Sequence, residues 1–141
     1  KTARNWNFTL RMVLLRSIIT MINKLAQEVH QNSKSKNFFD SERNLGEILC
    51  LIHSEISEAL EADREDNYCS NNIDATLNLK ENEDFKIEFE KEIKNTFEDE
   101  LADVVIRALD LAGYKNIDLE SHIKAKMRYN AMRKPKHGKK Y

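Results

Sequence analysis

Over three long stretches between Leu15 and Ala112, about 15–29, 45–60 and 89–112, the apolar residues recur at intervals of three and four. Glycine occurs only at positions 46, 113 and 138, and the one proline is Pro135. A chain with helical periodicity and so few breakers can hardly build a sheet protein, so an all-α domain is expected. Leu15, Ile18, Ile19, Ile22, Leu25, Ala26 and Val29 mark a first helix over about residues 8–30. Gln31 to Asn37 reads as a loop. Asp40 or Ser41 is the expected cap of a second helix that ends near Arg64, with Leu45, Ile48, Leu49, Ile52, Ile56, Ala59 and Leu60 as its core face. A third has Phe89, Ile93, Phe97, Leu101, Val104, Ala108 and Ala112 facing inward and Gly113 as its C-cap. Asp118 opens a fourth, with Ile123, Met127 and Met132 inward, and Pro135 ends it. The whole chain reads as one domain, 1–141, organised as a four-helix bundle.

Between the second and third helices lies an insert, about 65–83, rich in Asn, Asp and Ser. It has no apolar stripe and is long for a connection between bundle helices, so it is expected to bury nothing in the core.

Composition excludes more than it assigns. With 24 acidic and 23 basic residues the net charge is −1, which selects no partner. Its distribution is uneven: Lys124, Lys126, Arg128, Arg133, Lys134, Lys136, Lys139 and Lys140 load the C-terminus without an intervening acid. Such a tail suits nucleic acid or a small polyphosphate. The three isolated glycines cannot form a phosphate loop. Cys50 and Cys69 have neither metal nor redox spacing, and Cys50 reads as core, which fits a reduced, cytoplasmic protein. Residues 12–22 are apolar, but the run is short and Arg16 interrupts it, so no membrane span is expected. The start at Lys1 reads as trimmed or tag-derived.

Chemistry concentrates in two acidic pairs. Glu55 and Glu58 are three apart on the second helix, and Glu100 and Asp103 are three apart on the third. Residues at that spacing are neighbours on one helix face. Both pairs fall on matching flanks of their apolar stripes, with Arg107 beside the second. Packed helix against helix, four carboxylates would meet and repel unless a cation joined them. All-oxygen ligands suit Mg²⁺, with Mn²⁺ as the alternative. A di-iron site would need Glu-x-x-His, but Cys50 and Leu119 stand three residues before His53 and His122. His53 reads as a buried hydrogen-bonded group. No Ser or Cys has the setting of a nucleophile, which leaves water as the attacking group. Lys126, Asn130 and Arg133 share a broad face and could clamp phosphate oxygens. Phe38 and Phe39 read first as core plugs and second as base-stacking groups.

These residues resemble the MazG-like nucleoside triphosphate pyrophosphohydrolases, of the all-α NTP pyrophosphatase superfamily. The family's Glu-x-x-Glu followed by Glu-x-x-Asp stands here as Glu55-Ile-Ser-Glu58 and Glu100-Leu-Ala-Asp103. The flanks from Glu47 to Arg64 and from Leu101 to Gly113 look like its second and third helices. The end, from Lys126 through Asn130 and Arg133 to His137-Gly138-Lys139, looks like its Lys-x-x-x-Asn-x-x-Arg tail. The resemblance covers about 38–141 apart from the insert, which makes the gap between the acidic pairs longer than is usual in the family.

The resemblance implies hydrolysis of a nucleoside triphosphate to the monophosphate and pyrophosphate, as in clearing unwanted nucleotides. Glu55, Glu58, Glu100 and Asp103 would hold Mg²⁺, and one of them would orient or deprotonate the water. Lys126, Asn130, Arg133 and Lys139 would take phosphate oxygens, and Phe39 would lie near the base. It also implies a homo-oligomer, a dimer or tetramer whose partner helices complete the bundle. Neither a membrane nor nucleic acid is an expected partner. The competing expectation is a non-catalytic helical module that binds a nucleotide or a partner.

Overall fold

The computed structural model describes residues 21–70 and 73–133. These are all-helical, with six helices: α1 (Met21–Ser35), α2 (Leu45–Arg64), α3 (Ile73–Leu77), α4 (Asn82–Glu92), α5 (Phe97–Tyr114) and α6 (Leu119–Ala131). The stretch of the first helix before Met21, and Pro135, lie outside the described residues. No described helix is long and apolar enough to cross a membrane.

The chain divides into two compact units, with the boundary inside α5, between Ala108 and Leu109. The first contains α1, the end of α5, and α6. Its core is Ala26, Leu109 and Ala112, with Ile22 and Leu119 packed on it. Small residues let α1 and α5 approach closely. A Cβ on Gly113 would lie 2.5 Å from the Ala26 carbonyl oxygen and 2.7 Å from His30 Cβ, so only glycine fits without a backbone shift. Gly113 is thus a packing position inside the helix and not the expected cap. In most helices Gly→Ala stabilises by about 1 kcal/mol. Here Gly113→Ala is expected to destabilise by about 1–3 kcal/mol through overpacking, read as a lower thermal midpoint. His30 Nδ1 lies 2.8 Å from Asp110 Oδ1 across the same contact.

Asp118 caps α6 as expected. Its Oδ1 accepts from the Ser121 N–H and from Asn23 Nδ2, and Asn23 Oδ1 in turn accepts from the Glu120 N–H. These hydrogen bonds, chiefly that from Asn23, lower the Asp118 carboxyl to about 2. Met127 and Met132 do not face inward as expected. They are exposed, and Ile123 is half-buried.

The second unit contains α2, α3, α4 and α5 up to Ala108. The cap of α2 is Asn44, whose Oδ1 accepts from the Gly46 and Glu47 N–H groups, and not Asp40 or Ser41. The inward face of α2 is Ile48, Glu55, Ala59 and Ala62, whereas Leu45, Leu49, Ile56 and Leu60 are about half exposed. The apolar stripe therefore points largely outward, and Leu101, Val105 and Ile106 of α5 do the same. His53 and Cys50 are exposed, not buried.

Scarce glycine is explained by the helix ends. Asn37, Asp66 and Asn116 have φ of 64°, 55° and 50°, the left-handed conformation in which short polar side chains are tolerated best after glycine. Each closes a Schellman motif. Phe38 donates to the Ser33 carbonyl, Asn67 to that of Ala62, and Ile117 to that of Ala112. For this reason α1 continues to Ser35, through part of the expected loop.

The expected third helix is two. The chain turns at 93–96, with Asn95 at φ 63°, between α4 and α5. The insert is not bare loop either. It carries α3 and leads into α4, and Thr76 is 3% exposed. Asn67 donates its side-chain amide to the Asn95 carbonyl and accepts the Phe97 N–H at its own carbonyl, both at 2.9 Å. The Cys69 N–H donates to Glu98 Oε2, and the Tyr68 ring packs on Phe97. Polar side chains and backbone groups, not an apolar stripe, tie this segment to the start of α5. With Phe89, Ile93 and Ala102 it also walls a cavity of about 370 Å³.

Candidate metal centre

The acidic pairs enter the second unit from α2 and α5. One carboxylate oxygen from each of Glu55, Glu58 and Glu100 lies within 4.8 Å of the others. Three of the four predicted carboxylates, drawn from both pairs, thus converge. Glu55 and Glu100 are 4% and 6% exposed, and Glu58 is open to solvent. Two members of the group are thus withdrawn from water and the third faces it. Asp103 stands one turn further along α5, half-buried and outside the converging three.

The electrostatics are those of a site short of positive charge. The Glu100 carboxyl is raised above its ordinary range, first by burial and then by the charges of Glu58, Asp99, Glu55 and Asp103. Asp103 is raised too, by burial first and then by Glu55 and Asp99, with Arg107 opposing. Burial and like charge both penalise the ionised form. Asp99 is the acidic neighbour that spacing did not single out. Its Oδ2 accepts the Asn95 N–H at the head of α5, and its charge adds to the field on both members of the second pair.

One cation reaches the cluster among the described residues. Arg107 Nε lies 2.5 Å from Glu55 Oε1, yet it lacks the alignment of a hydrogen bond although it is buried. The contact is an ion pair by distance.

The expected substrate residues are distributed differently. Lys126 and Asn130 of α6, and Arg133 just beyond its end, belong to the first unit and are all exposed. Lys126 Nζ and Arg133 Cζ stand 5.4 and 5.8 Å from the Tyr129 ring centre, so this aromatic holds two cations on one stretch. Phe39 belongs to the second unit, half-buried, with the Arg43 guanidinium 5.9 Å from its ring centre. Lys139 lies outside the described residues. Comparison with protein-family models, with curated proteins and with solved structures returned no match.

Proposed function

We propose that the protein is a metal-dependent nucleoside triphosphate pyrophosphohydrolase of the MazG-like kind, a hydrolase acting on phosphoric anhydride bonds. The observation that carries this reading is the convergence of Glu55, Glu58 and Glu100, two of them buried, from helices far apart in sequence. Buried carboxylates at this separation are costly without a cation. Oxygen-only donors with one open side fit Mg²⁺ or Mn²⁺. When bound, the ion would supply Lewis-acid neutralisation of phosphate charge. The chain's own part is to fix the donor oxygens on two helices, keep their far side dry, and hold Asp103 close by. Its raised carboxyl is suited to accept a proton from water. Lys126, Asn130 and Arg133 are proposed to take phosphate oxygens, Lys139 to assist, and Phe39 to lie at the base. A cytoplasmic role in cleansing nucleotide pools is proposed with it.

The test is pyrophosphate release from a panel of nucleoside triphosphates with and without Mg²⁺. Release that stops in excess chelator is expected, and release that persists would overturn the metal site. Mg²⁺ should also raise the thermal midpoint, since an ion that binds only the folded state stabilises it.

The outward apolar residues of α2 and α5 favour a second element of the proposal, a homo-oligomer in which a partner copy covers them. Half-exposed large apolar residues repeated along both helices are what such an interface would bury. Ile56→Glu is expected to convert the oligomer into monomer, as read by light scattering behind size exclusion. The same surface is what a non-catalytic binding module would present. The two readings separate on the pyrophosphate assay, which a binding module fails.

A further inference from the structure

We propose that Arg107 is a resident counterion of the carboxylate cluster, a placeholder on Glu55 that is displaced when a divalent cation binds. This rests on the reading of the cluster as a metal site, and it adds a regulator of that site's occupancy.

The Glu55 side chain is 5% exposed. A carboxylate so withdrawn from water needs a partner, and among the described residues its ion pair is with Arg107. Arg107 sits on α5 one turn beyond Asp103 and two beyond Glu100, so the helix that supplies half the acidic residues also supplies the charge that offsets them.

Three features make the pair releasable. The guanidinium approaches Glu55 by Nε, which lacks hydrogen-bond alignment, so the contact is not the aligned two-pronged hydrogen bonding open to arginine and carboxylate. The Arg107 side chain is 40% exposed, which leaves water on one side to receive it. Asp103, four residues earlier, is a second acceptor within reach on the same helix. A cation held against Glu55 repels an arriving divalent ion and occupies one of its donor oxygens. The same contact therefore stabilises the metal-free fold and weakens metal binding, and removal must move the two properties in opposite directions.

The experiment uses the full chain, Mn²⁺ as the probe, and Arg107→Met, which keeps the stem and removes the charge. Mn²⁺ affinity is followed by the loss of the free-ion paramagnetic signal. Arg107→Met is expected to bind Mn²⁺ about tenfold more tightly, equivalent to about 1.4 kcal/mol. Its metal-free thermal midpoint should fall by several degrees while the metal-saturated midpoint changes little. Arg107→Lys, which keeps charge but cannot make the Nε contact, should fall between. Unchanged or weaker Mn²⁺ binding by Arg107→Met overturns the placeholder and leaves the metal site standing. Failure of the unsubstituted protein to bind Mn²⁺ overturns the metal site and the placeholder together. Should Arg107→Met not fold, the Nε–Hε resonance of Arg107, assigned by its absence from Arg107→Lys, decides. It is expected to shift as Mg²⁺ is added to the unsubstituted protein, and a resonance unmoved at Mg²⁺ saturation overturns the proposal.

Discussion

Glu100→Gln is expected to cut Mg²⁺-dependent pyrophosphate release by about 100- to 1,000-fold and, at the same time, to raise the thermal midpoint of the metal-free protein. Both effects have one origin. Glu100 is buried and faces the charges of Glu58, Asp99, Glu55 and Asp103, so its ionised form is a burden on the fold unless a cation is present. Glutamine keeps the shape and one acceptor oxygen but removes the charge. Loss of a group that holds charge against the transition state lowers turnover by about 100- to 1,000-fold, and Glu58→Gln and Asp103→Asn should show a similar loss with helix content intact. The pH dependence follows with a definite sign. The folded-state Glu100 and Asp103 carboxyls are raised, so between the ordinary carboxylate range and their raised values the native state holds more protons than the unfolded chain. Stability of the metal-free protein therefore falls as pH rises through that window. Mg²⁺ should reduce that slope, and Glu100→Gln should reduce it to the part that Asp103 contributes. A lower metal-free midpoint in Glu100→Gln, or a slope of opposite sign, would contradict the crowding of charge at the cluster.

The acidic pairs were legible in sequence because a three-residue spacing fixes two side chains on one helix face whatever the helix packs against. Helical class was legible for a similar reason, since period and scarcity of breakers are local properties. The buried faces were not. On α2 the sequence pattern favours Leu49, Ile56 and Leu60 as inward, whereas Glu55 and Ala62 are buried and those three are half exposed. A stripe that a partner copy could cover has the same pattern as one that a chain covers itself, so periodicity alone cannot separate them. Helix ends were misjudged where Asn or Asp does the work of glycine. The pairs Lys36-Asn37, Lys94-Asn95 and Lys115-Asn116 each place an asparagine in the left-handed region, and that repetition was the available signal. The break before α5 was hidden because Phe89, Ile93 and Phe97 keep a four-residue spacing straight through the turn.

Replacement of residues 65–83 by a short Gly/Ser linker is expected to destabilise the protein severely, although the segment's sequence suggests that it could be removed at little cost. The reasons lie in its polar groups. The Asn67 side chain satisfies the Asn95 carbonyl, its backbone carbonyl receives the Phe97 N–H, and the Cys69 N–H engages Glu98. Those bonds fix the first turn of α5, three residues before Glu100. Each is worth about 0.5–1.5 kcal/mol net. Their joint loss, with Thr76 and the walls of the cavity around Phe89 and Ile93 opened to water, comes to about 3 kcal/mol or more, a large part of the 5–15 kcal/mol typical of a domain. Denaturant unfolding of the shortened chain should show a much lower midpoint. Asn67→Ala alone, which removes one of the bonds, should cost about 1 kcal/mol and loosen amide protection at the head of α5. A shortened chain that unfolds at the original midpoint would show that these contacts contribute nothing. A chain that stays folded but loses divalent-ion binding would show instead that the segment acts on Glu100 through the start of its helix.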